Sequence, residues 1–147
     1  MIFALALASN LNADRHLNWA LQQLKQHGQL LAISSAYEMQ CRDGVGADYL
    51  NSACVFESCH LDQKTVSILI KSLEEKTGRV RPSHQISLDI DLIAWKDTHA
   101  QPWQFNLQKM PFALDVKVPL SEILPIKEFY VNHQYDYKKR RYEETYE

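Results

Sequence analysis

Ile86-Ser87-Leu88-Asp89-Ile90-Asp91-Leu92-Ile93-Ala94-Trp95 alternates apolar and polar residues through its middle, the period of a β-strand with one apolar and one polar face. Upstream, Val66, Leu69, Ile70 and Leu73 recur at helical spacing between a candidate cap, Asp62, and a stop, Gly78. Residues 49–57 alternate well enough for a strand, and residues 30–37 read as another. Between them residues 38–48 are polar, contain Gly44 and Gly46 and have no period, which predicts a flexible loop. Leu17, Ala20, Leu21 and Leu24 mark an earlier helix, capped by Asn12 or Asp14 and stopped at His27-Gly28. Residues 2–8 are an unbroken apolar run, as expected of a strand covered on both faces.

The resulting order, βαββαβ, is the ferredoxin-like split βαβ arrangement. It predicts an α+β sandwich with helices on one face of an antiparallel sheet, followed by a C-terminal extension. Beyond Trp95 the period fades. Pro102, Pro111, Pro119 and Pro125 punctuate the chain, with a short strand expected at residues 115–118 and one helical turn after Pro119. No repeat, low-complexity segment or linker divides the sequence, so residues 1–147 are expected to form a single domain.

The 147 residues are 46% hydrophobic, enough for a substantial core, and the formal charge of −2 supplies no global field that would draw nucleic acid or an anionic membrane. Cys41, Cys54 and Cys59 are odd in number and include no CxxC pair, which argues against a disulfide framework or zinc knuckle and suits a reducing cytoplasm. The opening residues 1–10 are apolar but include no basic n-region of a signal peptide, and their apolar run falls far short of the roughly 20 residues that span a bilayer.

Asp89 and Asp91 lie two apart on the decisive strand, so their side chains leave one face, with Cβ atoms roughly 7 Å apart. Carboxylates that close repel unless a cation intervenes, and a small set of oxygen donors suits Mg²⁺, which keeps waters and completes its shell with phosphates. Phosphoryl transfer is the chemistry implied. The same pair also fits the wet face of an antiparallel strand, or charges that protect a sheet edge from aggregation.

Five segments, in order, resemble the 6-hydroxymethyl-7,8-dihydropterin pyrophosphokinase family. They are Ala8-Ser9-Asn10-Leu11, Asp48-Tyr49-Leu50-Asn51-Ser52-Ala53, Glu74 with Gly78-Arg79-Val80-Arg81, Leu88-Asp89-Ile90-Asp91-Leu92, and Val118-Pro119-Leu120-Ser121-Glu122-Ile123-Leu124-Pro125. The resemblance implies transfer of diphosphate from ATP to the pterin hydroxymethyl group, giving AMP, in folate biosynthesis. By the same resemblance Asp89 and Asp91 would be the metal and catalytic carboxylates, holding two magnesium ions, with Arg79 and Arg81 neutralising phosphate. Asn51, with Tyr49 and Phe112, would bind the pterin, and Glu74, Arg79, Arg81 and Leu92 would seat the nucleotide. A monomer or weak homodimer is expected, with neither nucleic acid nor membrane as partner. Taken alone, Asn51 also suits a solvent-facing strand position, Arg79 and Arg81 suit helix C-terminal cations, and Glu74-Glu75-Lys76 suits a solvated helix face.

The sequence departs from the family pattern at positions that matter for transition-state charge. Ile86 stands where the family has an arginine, three residues before the first aspartate, and the loop between Arg81 and the strand is short, with only His84 to replace its usual aromatic residue. Pro111-Phe112-Ala113-Leu114-Asp115 lacks the family's histidine and arginine, so Phe112 would stack on the pterin only in a shifted register. Gln40-Cys41-Arg42-Asp43-Gly44 lacks the Thr-Pro-Pro-Leu-Gly-like run. Loss of one donor to developing charge typically costs about 10²- to 10³-fold in rate. Lys109, Lys117 or the Lys138-Lys139-Arg140-Arg141 cluster are the available substitutes. The alternative functions are a non-catalytic or altered-specificity pterin- or nucleotide-binding relative, and an unrelated ferredoxin-like interaction module.

Overall fold

The computed structural model describes residues 1–41, 44 and 46–131, and the backbone alone of residues 138–140. In chain order the elements are β1 (Ile2–Ser9), α1 (Ala13–Lys25), β2 (Gln29–Ile33), β3 (Ala36–Met39), β4 (Tyr49–Glu57), α2 (Gln63–Lys76), β5 (Asp89–Lys96), β6 (Gln104–Phe105), α3 (Leu114–Ile123) and β7 (Lys138–Arg140). Two 3-10 turns, Leu107–Lys109 and Lys127–Phe129, flank α3.

β1 is the centre of an antiparallel sheet, paired with β4 on one side and β5 on the other. Both β2 and β3 pair with β4, β6 extends the β5 edge, and β7 pairs with β3. This is the α+β, ferredoxin-like order that the strand and helix periods imply.

The two faces of β1 explain the layers. Phe3, Leu5 and Leu7 point to one side and pack with Leu17, Leu21 and Leu24 of α1 and Ile70 and Leu73 of α2. Ala4 and Ala6 point to the other, where Val116 and Leu120 of α3 and Phe129 cover them. Each fully buried Leu or Phe contributes about 1.5–3 kcal/mol, so the layer under α1 and α2, which holds more of them, is the larger source of stability. Asp62 caps α2 as its position implies, accepting from the Thr65 N–H while the Thr65 hydroxyl accepts from the Asp62 N–H. Asn12 occupies the cap position of α1 in a left-handed conformation, without a side-chain capping bond.

Four local expectations are corrected. The strand expected over residues 30–37 is two strands: at Ser34 the hydroxyl takes the Ala53 N–H, and the β4 register slips between the halves. Part of the expected loop is strand, since Glu38 and Met39 pair with Leu50 and Tyr49; Arg42, Asp43 and Val45 lie outside the described residues. β5 begins at Asp89 because Ile86 is bonded to Asn10 instead of to a neighbouring strand: its N–H donates to Asn10 Oδ1 (2.6 Å) and its carbonyl accepts the Asn10 N–H (3.0 Å).

The largest correction is at residues 115–118, which are helical. Val116 and Leu120, four apart, bury one stripe against the sheet, and that packing outweighs both the alternation of the segment and Pro119 within the helix. Helices consequently cover both faces of the sheet, α1 and α2 on one and α3 on the other. Of the basic tail, Lys138, Lys139 and Arg140 are described as backbone only, and Arg141 lies outside the described residues.

The chain enters β2 at Gly28, where a Cβ would collide with the Glu57 carbonyl oxygen and crowd the Phe56 ring. Gly28→Ala is expected to cost about 1–3 kcal/mol through this overpacking. In urea unfolding this is a lower midpoint at unchanged slope.

Candidate active site

Pairing on both sides of β1 sets residues of distant segments in rows across the sheet. One row is Tyr37, Asn51, Ala8 and Asp89, and the next is Ala53, Ala6 and Asp91. Because side chains alternate along a strand, these residues share the α3 face. The middle of each row carries only a methyl group, so the sheet surface dips between Asn51 and the two aspartates.

The dip is the floor of a cavity of about 370 Å³, with Tyr49, Asn51, Asp89 and Asp91 on its walls. Lys109, the Asp115–Val116 start of α3 and Cys41 also line it. Asn51 is 3% exposed, and its Nδ2 donates to the Tyr37 carbonyl at 3.4 Å, which holds the amide in place.

Each aspartate has a cationic neighbour. Arg79 Nη1 lies 3.1 Å from Asp89 Oδ1, donates to the Leu88 carbonyl at 3.1 Å, and is 3.4 Å from Glu74 Oε2. Lys109 Nζ is 3.0 Å from Asp91 Oδ1. The repulsion expected of the two carboxylates is thus already relieved by protein cations, and their proximity alone does not require a metal.

Glu74 links helix and strand. Its Oε2 accepts the Ile90 N–H at 2.8 Å, and Arg81 Nη2 approaches Oε1 at 3.6 Å. Burial pushes the Glu74 carboxyl above its ordinary range; the Ile90 hydrogen bond opposes that shift, the Asp89 charge adds to it, and Arg79 opposes it. Arg79, Arg81 and Glu74 line a groove at the end of α2, and Ile86 lines an adjoining one with Arg79 and Arg81.

Of the residues singled out in the sequence, Asp89, Asp91, Asn51 and Tyr49 meet at the cavity, and Glu74, Arg79 and Arg81 stand behind Asp89. Leu92 and Phe112 are elsewhere. Leu92 points into the core beneath α1 and α2. Phe112 is 7% exposed and packs its ring against Phe105 and Phe129, at centroid distances of 6.2 and 5.4 Å, so the structure places it in the core and not on the cavity wall.

Asp115 and Cys41 on the cavity wall are not legible in the sequence, because the local pattern suggests a strand at one and a loop at the other. Lys109 was visible only as a substitute cation. What positions it is Asn106, whose Oδ1 caps the turn by accepting from Gln108 N–H while its Nδ2 donates to the Leu92 carbonyl. Of the cysteines, Cys54 is buried and its thiol is pushed up to about 12 by that burial.

The raised Glu74 pKa fixes the sign of a pH effect. The folded state binds this proton more tightly than the unfolded chain, so stability from Glu74 is greatest in acid and is lost as pH rises through and above the ordinary value of 4.5. The difference in unfolding free energy between the native protein and Glu74→Gln is therefore expected to fall as pH rises from that value. Parallel chemical denaturations across this range measure it; a flat or rising difference would refute the assignment.

Among the described residues no helix is long and apolar enough to cross a membrane. No curated protein matches the chain. A family model described as 7,8-dihydro-6-hydroxymethylpterin-pyrophosphokinase matches residues 4–132, a span that contains every residue of the cavity wall and of the Glu74–Arg79–Arg81 groove. The chain belongs to the 7,8-dihydro-6-hydroxymethylpterin pyrophosphokinase family.

Proposed function

We propose that this protein transfers the diphosphate of ATP to 6-hydroxymethyl-7,8-dihydropterin or a closely related pterin, releasing AMP, as a cytoplasmic step of folate biosynthesis. The observation that carries the reading is the convergence of Asn51, Asp89 and Asp91 on one cavity, from strands that only the sheet brings together. Its volume lies within the range of small-molecule sites.

The donor set fits magnesium. Asp89 and Asp91 leave the same face of β5, both side chains are partly exposed (39% and 26%), and both open on the cavity. Two carboxylates open to a cavity leave room for the waters and substrate phosphates with which Mg²⁺ completes its shell. Two ions bound there would neutralise phosphate charge and help to align the transferring group.

The chain's own groups supply the rest. Asn51 offers a donor and an acceptor to a heterocycle edge, and its burial makes mismatched hydrogen bonding costly, which favours selectivity. Tyr49 is the aromatic residue on the cavity wall. Arg79, gripped by Glu74 and the Leu88 carbonyl, orients Asp89. Arg81, whose side chain is 66% exposed, can extend to phosphate oxygens.

A second reading, an altered-specificity or non-catalytic binding relative, is favoured by two specific observations: Ile86 carries no charge into the Arg79–Arg81 groove, and Phe112 does not reach the cavity. AMP release from Mg-ATP separates the two. On the pyrophosphokinase reading, AMP appears only when the pterin is present and falls by at least about 10²-fold in Asp91→Ala. Absence of AMP from both proteins would refute catalysis and leave the binding reading.

Ile86→Arg tests the missing charge. The side chain would extend into the groove beside Arg79 and Arg81, and turnover is expected to rise by about 10-fold or more. Unchanged turnover in a folded variant would assign the limitation to the segment that carries Lys109 and Phe112.

A further inference from the structure

We propose that Lys109 is a built-in counter-cation of Asp91, which holds Asp91 Oδ1 in the absence of a divalent cation and turns to the nucleotide phosphates when one binds. The second half of this exchange rests on the pyrophosphokinase reading; the first half stands on the geometry of the cavity. A lysine at 3.0 Å occupies the carboxylate oxygen that a divalent cation would approach to roughly 2.1 Å. A divalent cation on the same oxygen would repel the ammonium, which favours release of Lys109 from Asp91 when the cation binds there.

The two cations of the site differ in their freedom to move. Arg79 has a side chain only 10% exposed and is fixed at once by Asp89, Glu74 and the Leu88 carbonyl. Lys109 is 44% exposed and reaches Asp91 on a flexible, unbranched stem. Its backbone, by contrast, is fixed to the strand that carries Asp91. The Asn106 N–H donates to the Ile93 carbonyl at 2.8 Å, and Asn106 Nδ2 donates to the Leu92 carbonyl at 2.8 Å.

The turn therefore keeps the ammonium at the cavity while the side chain chooses its partner. A compact charge with rotatable donors suits that exchange better than the rigid fork of an arginine. It also gives the cavity a mobile cation in a protein whose residue 86 is an isoleucine.

The test uses the whole chain, with Mn²⁺ as the probe cation and α,β-methylene-ATP as the probe nucleotide. Wild type and Lys109→Met are titrated with Mn²⁺ alone by electron paramagnetic resonance, then with the analogue in the presence of Mn²⁺. Lys109→Met is expected to bind Mn²⁺ alone several-fold more tightly and the Mn²⁺–nucleotide about 10-fold more weakly, the loss of one charge-assisted phosphate contact. Lys109→Arg should recover part of the nucleotide affinity.

Equal or weaker Mn²⁺ binding by Lys109→Met, or no binding by either protein, overturns the proposal. Tighter binding of both metal and metal–nucleotide overturns the exchange, because Lys109 would then be only a competitor. If neither protein binds the nucleotide analogue, the pyrophosphokinase reading fails and takes the phosphate role of Lys109 with it. The titration with Mn²⁺ alone still decides the counter-cation role in that case. Lys109 lies on an exposed turn, and circular dichroism of the variants verifies that the fold is retained.

Discussion

Antiparallel pairing of β1 on both of its edges is the constraint on which the rest of the structure depends. It places Asn51 of β4 and Asp89 of β5 in one row although they are far apart in the chain, with Ala8 between them. A one-residue slip on either edge would turn every side chain of the slipped strand to the opposite face, removing the carboxylates or the amide from the cavity and exposing the aliphatic layer. Strand register and site geometry are therefore one property, and the large residues Phe3, Leu5 and Leu7 that lock β1 under the helices also keep Ala6 and Ala8 turned toward the cavity.

The alternation of large and small residues on β1 gives its faces different tasks. The side under α1 and α2 is a close-packed layer in which both helices bury their apolar stripes. The α3 side is thinner near the alanines, and α3 covers only part of it, with Val116 and Leu120 against the sheet and Asp115 at the cavity. Glu122, farther along α3, accepts the Tyr37 hydroxyl at 2.6 Å and the Ser35 N–H at 3.1 Å. Those bonds tie α3 to the β2–β3 break and give the Pro119–Pro125 segment a structural task in supporting the cavity.

Charge in the cavity is balanced unevenly. Asp89 belongs to a network of Arg79, Glu74 and strand backbone in which the arginine and glutamate side chains are largely buried, and Glu74 bears a desolvation penalty to hold it. Asp91 is balanced by a lysine from a turn more exposed to solvent. One carboxylate is paired with a largely buried arginine and the other with a half-exposed lysine, so the two differ in how readily their counter-charge can be moved.

The sequence by itself determined the α+β class, the two helices before Trp95 and the strands that carry Asn51 and the carboxylate pair, though not the break at Ser34 that makes two strands of one. Each of these is written in local periods: two for the strand that carries Asp89 and Asp91, near 3.6 for the helices around Leu21 and Ile70. It also determined which motifs the chain keeps and that residue 86 is not an arginine. Only the tertiary structure decided that residues 114–123 are helix, since burial of Val116 and Leu120 against a sheet made of distant strands outweighs a local strand-like pattern. Tertiary packing likewise set Phe112 in an aromatic core and Lys109 beside Asp91, because both placements depend on how the segment after β5 folds back over the alanine face. No local period records that contact.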